Sequence, residues 1–203
     1  MLTLDMLRQL ESVLRLKGYD EMIAWSEALA PPTNARSFAR EAIYVICNSG
    51  MSVAIANPIY WRCVRALNQR QSASTVFGHP GKAHAIDHIW RHRNVLFEAY
   101  KVAENKTAYL LTLPFIGRIT QHHLAKNLGE DTVKPDVHLM RLARHEHTTP
   151  LDMCERLAFL SGYRIGTIDT ILWRACADGY LDSAHYETDG WATAFKPPLD
   201  WNG

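Results

Sequence analysis

Leu113-Pro114-Phe115-Ile116-Gly117-Arg118-Ile119-Thr120 separates two segments whose apolar residues recur at helical spacing. Upstream, Tyr109-Leu110-Leu111-Thr112-Leu113 is apolar at that spacing, and Pro114 and Gly117 interrupt it. Downstream, Arg118 to Leu128 is predicted to resume a helix, with Ile119, His123, Leu124 and Leu128 on related faces. Two short helices around a Pro/Gly turn make a helix-hairpin-helix, spanning about residues 106–128. The second helix's first turn leaves backbone N–H groups without intrahelical acceptors, which suits phosphate oxygens. Such a grip holds a nucleic-acid backbone without reading sequence.

After a helix-length gap, Val133-Lys134-Pro135-Asp136-Val137-His138 delivers one carboxylate from a loop over 130–138. Pro135 disfavours a helix running into it and presets entry into the next, so Asp136 is expected at or near a helix N-terminus. Asp is also a preferred N-cap, and capping alone accounts for many such residues.

Working outward, the rest reads as helices. Leu2 to Lys17 carries a stripe of Leu4, Leu7, Leu10 and Leu14 before Gly18, and Asp20 to Leu29 is a shorter helix capped by Asp20. Thr33 or Asn34 caps a long helix through Phe38, Ala42, Val45 and Ile46 that breaks at Asn48-Ser49-Gly50. Met51 to Leu67 contains Pro58, which predicts a kink or restart near Asn57. Gln69 to Pro80 reads as an exposed connection, and His84 to His92 and Val95 to Ala103 as two helices. Further helices are expected after Asp136, over Pro150 to Leu160 and, last, over Ile165 to Cys176. A Gly/Pro/aromatic tail follows from Gly190 to Gly203, with Trp173, Trp191, Phe195 and Trp201 as core and clamp residues. Nothing alternates long enough to require a sheet, so the class is all-α.

The 203 residues, 47% of them hydrophobic, suffice for one compact domain over 1–203. Lys and Arg number 22 against 21 Asp and Glu, so overall charge makes no case for nucleic acid and a DNA site has to be a local patch. No apolar run is long enough for a membrane span and no signal peptide begins the chain, so a cytoplasmic protein that needs no membrane is expected. Cys47, Cys63, Cys154 and Cys176 are widely spaced, which argues against a zinc ribbon or iron–sulfur cluster and for buried, reduced thiols. His84, His88 and His92 align on one helix face, but three turns of a straight helix do not converge on one ion. No metal and no cofactor are expected; the stripe reads as polar surface near DNA.

Leu113-Pro114-x-Ile116-Gly117-x-x-Thr120 followed by Lys134-Pro135-Asp136-x-His138-x-x-Arg141-x-Ala143 resembles the signature of the helix-hairpin-helix/Gly-Pro-Asp DNA glycosylase superfamily. Phe38, Ala42 and Ile43 through Ser49, Ala54, Ala56 and Tyr60 resemble its preceding helix pair. The resemblance implies a two-lobed helical fold that flips a nucleotide out of duplex DNA, a monomer, and Asp136 as the catalytic carboxylate. It also implies DNA-backbone contacts from Pro114, Phe115, Ile116, Gly117, Arg118 and Thr120; Lys82, at a helix start after Gly81, is a candidate for an additional phosphate contact.

Three departures matter. Ile119 stands where the glycosylase/lyase branch has its lysine, and isoleucine forms no Schiff base, which excludes a lyase reaction by that route. Phe115 stands where the loop ordinarily has a glycine. Asn48-Ser49-Gly50-Met51 replaces the Gln-rich stretch behind the flipped base.

With Val45 to Met51, His123 to Gly129, Lys134 to Leu139 and Asp169-Thr170-x-Leu172-Trp173, these departures resemble the glycosylase-like amino acid:DNA transferases of bacteriophage thymine hypermodification. Members join an amino acid to 5-pyrophosphomethyl-uracil in DNA with loss of pyrophosphate. That resemblance ranks amino-acid transfer first, with an amino acid as co-substrate, double-stranded DNA as partner and, for a phage protein, the host cytoplasm as location. A monofunctional N-glycosylase in which Asp136 activates water ranks second, and a non-catalytic DNA-binding module third. Lys126, Lys134, Arg141 and Arg118 are candidates for the pyrophosphate, with a DNA-backbone or solvated face as the competing account. Asn48 and Ser49 are candidates for the base; Met51 is either a wedge or a core residue. Of His122 and His123 one is expected to pack and the other to meet phosphate, and His138 is a packing or supporting residue unless its ring faces the reacting group.

Overall fold

The computed structural model describes residues 1–201; Asn202 and Gly203, the end of the expected tail, lie outside the described residues. It is all-helical: twelve α-helices and one short 3-10 turn among the described residues, with a single isolated bridge, Leu181 to Phe195. No helix among them is long and apolar enough to cross a membrane. The chain divides into two compact units, Ala30–Glu130 (the central unit) and Met1–Leu29 with the segment from Asp131 onward (the terminal unit).

The terminal unit begins with α1 (Leu4–Leu16), capped by Thr3, whose Oγ1 accepts from Met6 N at 3.3 Å. In α2 (Asp20–Glu27) Tyr19 occupies the cap position, so the expected cap, Asp20, is the first helical residue and pairs with Arg15 at 2.7 Å. The central unit holds α3 (Ala35–Asn48), capped by Asn34 Oδ1 on Ser37 N, then α4 (Val53–Asn68), α5 (Pro80–Val102), α6 (Lys106–Leu110) and α7 (Thr120–Asn127). Its core is the inner face of α3, with Phe38, Ala42 and Ile46, against Cys63, Ile86, Phe97, Leu110 and Leu124.

Two sequence expectations differ here. The segment from Val53 to Asn68 is one helix with Pro58 inside, so the helix does not restart near Asn57; Ile59 and Tyr60, just past the proline, pack on the core. The predicted pair of helices around Arg93-Asn94 is a single helix, α5; the interruption in apolar spacing there marks a solvent face, not an end.

The terminal unit resumes with α8 (Val137–His145), α9 (Pro150–Ser161) and α10 (Ile165–Ala177). Two further helices, α11 (Ser183–Asp189) and α12 (Trp191–Ala194), lie where no helix was expected after Cys176. Asp182 starts α11 by accepting from Ala184 N and His185 N, and Lys196 holds that carboxyl well below the usual range. Trp191 stacks on Phe195 at 4.6 Å, giving the short α12 a packed side. The unit's own core joins Leu7, Leu10 and Leu14 to Leu139, Leu142, Met153, Leu157, Ile168 and Leu172. The buried Glu146 fastens the chain's start, accepting from Leu2 N at 2.5 Å while paired to Arg156 at 2.7 Å.

Candidate nucleic-acid and catalytic residues

In the central unit the segment between α6 and α7 is a tight loop held by its own polar atoms. Thr120 Oγ1 accepts from Gly117 N at 2.7 Å, and Gln121 N donates to Gly117 O at 2.9 Å. α7 starts at Thr120, two residues later than the expected Arg118, which leaves Arg118 and Ile119 in the turn. Among the described residues the N–H groups of Arg118, Ile119 and Thr120 have no acceptor within the protein. Gly117 and the Arg118 and Ile119 side chains are exposed. Three successive open donors leading into a helix start favour an anion.

Phe115, the residue in place of a glycine, has φ 65, a left-handed conformation that glycine adopts without cost, whereas Gly117 does not have positive φ. The conformation costs a non-glycine residue about 1–3 kcal/mol and persists only where packing enforces it. That packing is visible: the ring meets His79 edge-on at 5.5 Å, and a Cβ added to Gly81 would approach the ring within 3.3 Å. Pro114 is half-buried and Ile116 buried beneath the loop, so both shape it from inside.

Lys82, expected to meet phosphate, is placed otherwise. It is 4% exposed, and its ammonium donates to the Ser49 and Cys47 carbonyls at the end of α3 and lies 5.8 Å from the Phe77 and Phe115 ring centroids. A cation at a helix C-terminus satisfies carbonyls that the helix leaves open. Burial pushes the Lys82 pKa down. Ser49 is thus engaged through its backbone. Asn48 Nδ2 donates to Tyr44 O at 2.9 Å, and Asn48 Oδ1 is buried without a partner among the described residues. Met51 packs against the central core. The His123 ring faces Tyr44 edge-on at 6.5 Å, burial lowers the His122 pKa, and Lys126 is half-buried on α7.

In the terminal unit Asp136 is the N-cap of α8, as its Pro-preceded position predicts. Its Oδ1 accepts from His138 N at 3.0 Å and Leu139 N at 3.2 Å. Its Oδ2 lies 4.0 Å from Lys134 Nζ, and the side chain is 14% exposed. The Lys134-Pro135-Asp136 turn is closed by Asp136 N donating to Lys134 O at 2.7 Å, and Lys134 N donates to the buried Asp169. One carboxylate oxygen is therefore fixed and the other stands beside a cation.

No family model, curated protein or solved structure matches this chain.

Several features of this region lie beyond local sequence reading. His138 Nδ1 is 2.9 Å from Oγ of the buried Ser183, forty-five residues away on α11. Burial, with the charges of Asp136 and Asp182, pushes the Cys176 thiol up to about 12, so it stays protonated beside the carboxylate. Arg141, expected to meet pyrophosphate, lies 3.8 Å from Glu187, which also pairs with Arg144 at 2.7 Å. Asn48, Lys82, His123, Lys126 and the loop belong to the central unit, and Lys134, Asp136, His138 and Arg141 to the terminal one.

Division of the chain also divides its charge. The central unit has twelve Lys and Arg against five Asp and Glu; the remainder has ten against sixteen. A near-neutral chain thus contains a strongly basic unit, which supplies the electrostatic argument that the whole-chain charge does not.

Proposed function

We propose that this protein is a DNA-base-modifying enzyme of the helix-hairpin-helix glycosylase type, with the α6–α7 segment as the hairpin that grips the duplex backbone. The reaction we favour is amino-acid transfer onto 5-pyrophosphomethyl-uracil. The bond from the exocyclic carbon to the pyrophosphate oxygen breaks, the amine nitrogen bonds to that carbon, its proton passes to Asp136, and pyrophosphate leaves.

The observation that carries this reading is the pairing of a rigid carboxylate with a cation at Asp136 and Lys134. Asp136 Oδ2 suits a proton leaving the incoming amine or a methylene carbon gaining positive charge, and Lys134 suits the departing phosphates. The basic central unit, with its three open N–H groups, supports DNA as the partner.

A monofunctional glycosylase is the second reading. What favours it is the 4.0 Å separation, long for a direct hydrogen bond, which leaves Oδ2 able to activate water without help from Lys134.

Nucleoside mass spectrometry after incubation with pyrophosphomethylated duplex and a mixture of amino acids separates these readings. An aminoacyl-thymine product with released pyrophosphate is the expected result. Abasic sites without adduct would select the glycosylase. Duplex binding with neither product, and Asp136→Asn without effect, would leave a binding module.

A further inference from the structure

The central unit carries a second cationic surface, away from the α6–α7 loop. Arg36 and Arg40 are one turn apart on α3 and share a face. Arg36 reaches both flanking helices: Nη2 donates to Asn68 Oδ1 of α4 at 2.9 Å, and its guanidinium is 5.8 Å from the centroid of Trp90 on α5. Arg93 lies over the same indole at 4.8 Å. Arg40 lies 5.4 Å from the centroid of Trp61 on α4 and donates to Tyr60 OH at 3.2 Å. Trp61, Arg65 and Asn68 recur at i, i+4 and i+7, so Arg65 joins the same face. Two indoles thus carry three guanidinium groups, with Arg65 beside them on the α4 face.

The surroundings offset those charges little, Glu41 being a neighbouring carboxylate whose charge acts on Arg40. Residues 30–97 contain eight Lys and Arg but only two acidic residues, Glu41 and Asp87. Glu41 is half-buried and accepts from Asn127, and Asp87 accepts from Ser72 Oγ and Ala73 N, so both carboxylates are committed within the fold. None of the four arginines is in an ion pair among the described residues. A guanidinium stacked on an aromatic face keeps in-plane N–H donors for an incoming oxyanion. An array of single negative charges, each with two exposed oxygens, matches it, and the phosphodiester backbone is such an array.

The position along α3 sets the distance to the loop. Lys82 ties the loop's Phe115 to the α3 carboxyl end at Cys47 and Ser49, whereas Arg36 is at its amino end. Twelve residues of helix separate Arg36 from Asn48, about 18 Å at 1.5 Å per residue. Along one DNA strand that is about five phosphates. We propose that the Arg36, Arg40, Arg65 and Arg93 face is a second phosphodiester-binding surface, holding the flank of the duplex that the α6–α7 loop grips, about five base pairs away. This rests on the reading of the loop as a DNA grip.

Fluorescence anisotropy with duplexes of about 8 and about 20 base pairs, over a salt series, tests it. The proteins are wild type, Arg36→Gln/Arg93→Gln, Arg65→Gln and Arg118→Gln. Arg65 is exposed and its side chain has no intramolecular hydrogen bond among the described residues, so its variant reports contact without a packing change. The expected result is a roughly tenfold loss for the double variant on the long duplex, a salt slope lower by about 2, and near-wild-type affinity on the short one. Arg65→Gln should lower the slope by about 1, and Arg118→Gln should weaken both duplexes.

Patch variants identical to wild type on the long duplex, with Arg118→Gln weakened, would overturn the second surface and leave the loop reading intact. Wild type without affinity for any duplex would overturn both. Self-association in sedimentation that is lost in the patch variants, with DNA affinity unchanged, would assign the face to an acidic protein surface and likewise overturn the proposal.

Discussion

The central unit has seven more positive than negative side chains, and the rest of the chain has six more negative than positive. The two also differ in what their helix starts do. At the start of α7 the N–H groups of Arg118, Ile119 and Thr120 are open among the described residues and the Arg118 and Ile119 side chains exposed, whereas at α8 the N–H groups of His138 and Leu139 are taken by Asp136. One helix start is a place for an external anion and the other holds an internal one still, for the same electrostatic reason. On the function proposed above, binding and chemistry fall to different units, and substitutions should separate them.

Asp136→Asn gives the largest expected effect. Asparagine caps a helix as well as aspartate, so the melting temperature should hardly move, while base modification falls by about 10²–10⁴-fold. Duplex affinity, measured on the same preparation, should stay within about twofold, since the variant removes no basic group. Equal losses in affinity and turnover would break the division of labour.

Gly117→Ala sharpens the other half. Gly117 does not have positive φ, and an added Cβ would find only Thr120 Oγ1, at 3.8 Å, so stability should be unchanged. A phosphate approaching the loop backbone would meet the methyl group, and duplex affinity should fall about fivefold in a titration at fixed salt. Unchanged affinity would separate the loop from DNA.

Lys82→Met tests whether the central unit spends every cation on a partner. Loss of the ammonium leaves the Cys47 and Ser49 carbonyls unmet, and chemical denaturation should report a destabilisation of about 1–3 kcal/mol. Full stability with weakened DNA binding would return Lys82 to the phosphate contacts.

The smallest effect concerns Glu41, whose carboxyl burial pushes up despite the Asn127 amide. A raised folded-state value means that its contribution to stability is fully present below the ordinary glutamate pKa, about 4.3, and is lost as pH rises through the folded value. Glu41→Gln, which keeps an acceptor for Asn127, should raise the melting temperature at pH 7 by a few degrees and lose that gain near pH 4. A gain independent of pH would refute the burial account.

Much of this organisation is legible along the chain because its causes are local. Apolar spacing marks α1, α3, α8, α9 and α10, and Pro135 ahead of Asp136 places a carboxylate at a helix start. Local rules fail where packing decides. Phe115 has a glycine conformation with its ring set against His79 and Gly81, and Lys82 reads as a surface cation until α3 ends against it. Ser183 meets His138 from forty-five residues away, and Arg36, Trp90 and Arg93 become one surface only when α3 and α5 pack together.

By itself the sequence determined the all-helical class, the interruption at Pro114 and Gly117 and the capped position of Asp136, since each follows from residues within a turn or two of one another. Which charges are available follows from packing between elements distant in the chain. A side chain's electrostatic standing depends on burial and on partners distant in sequence, and neither is written in the spacing of its neighbours.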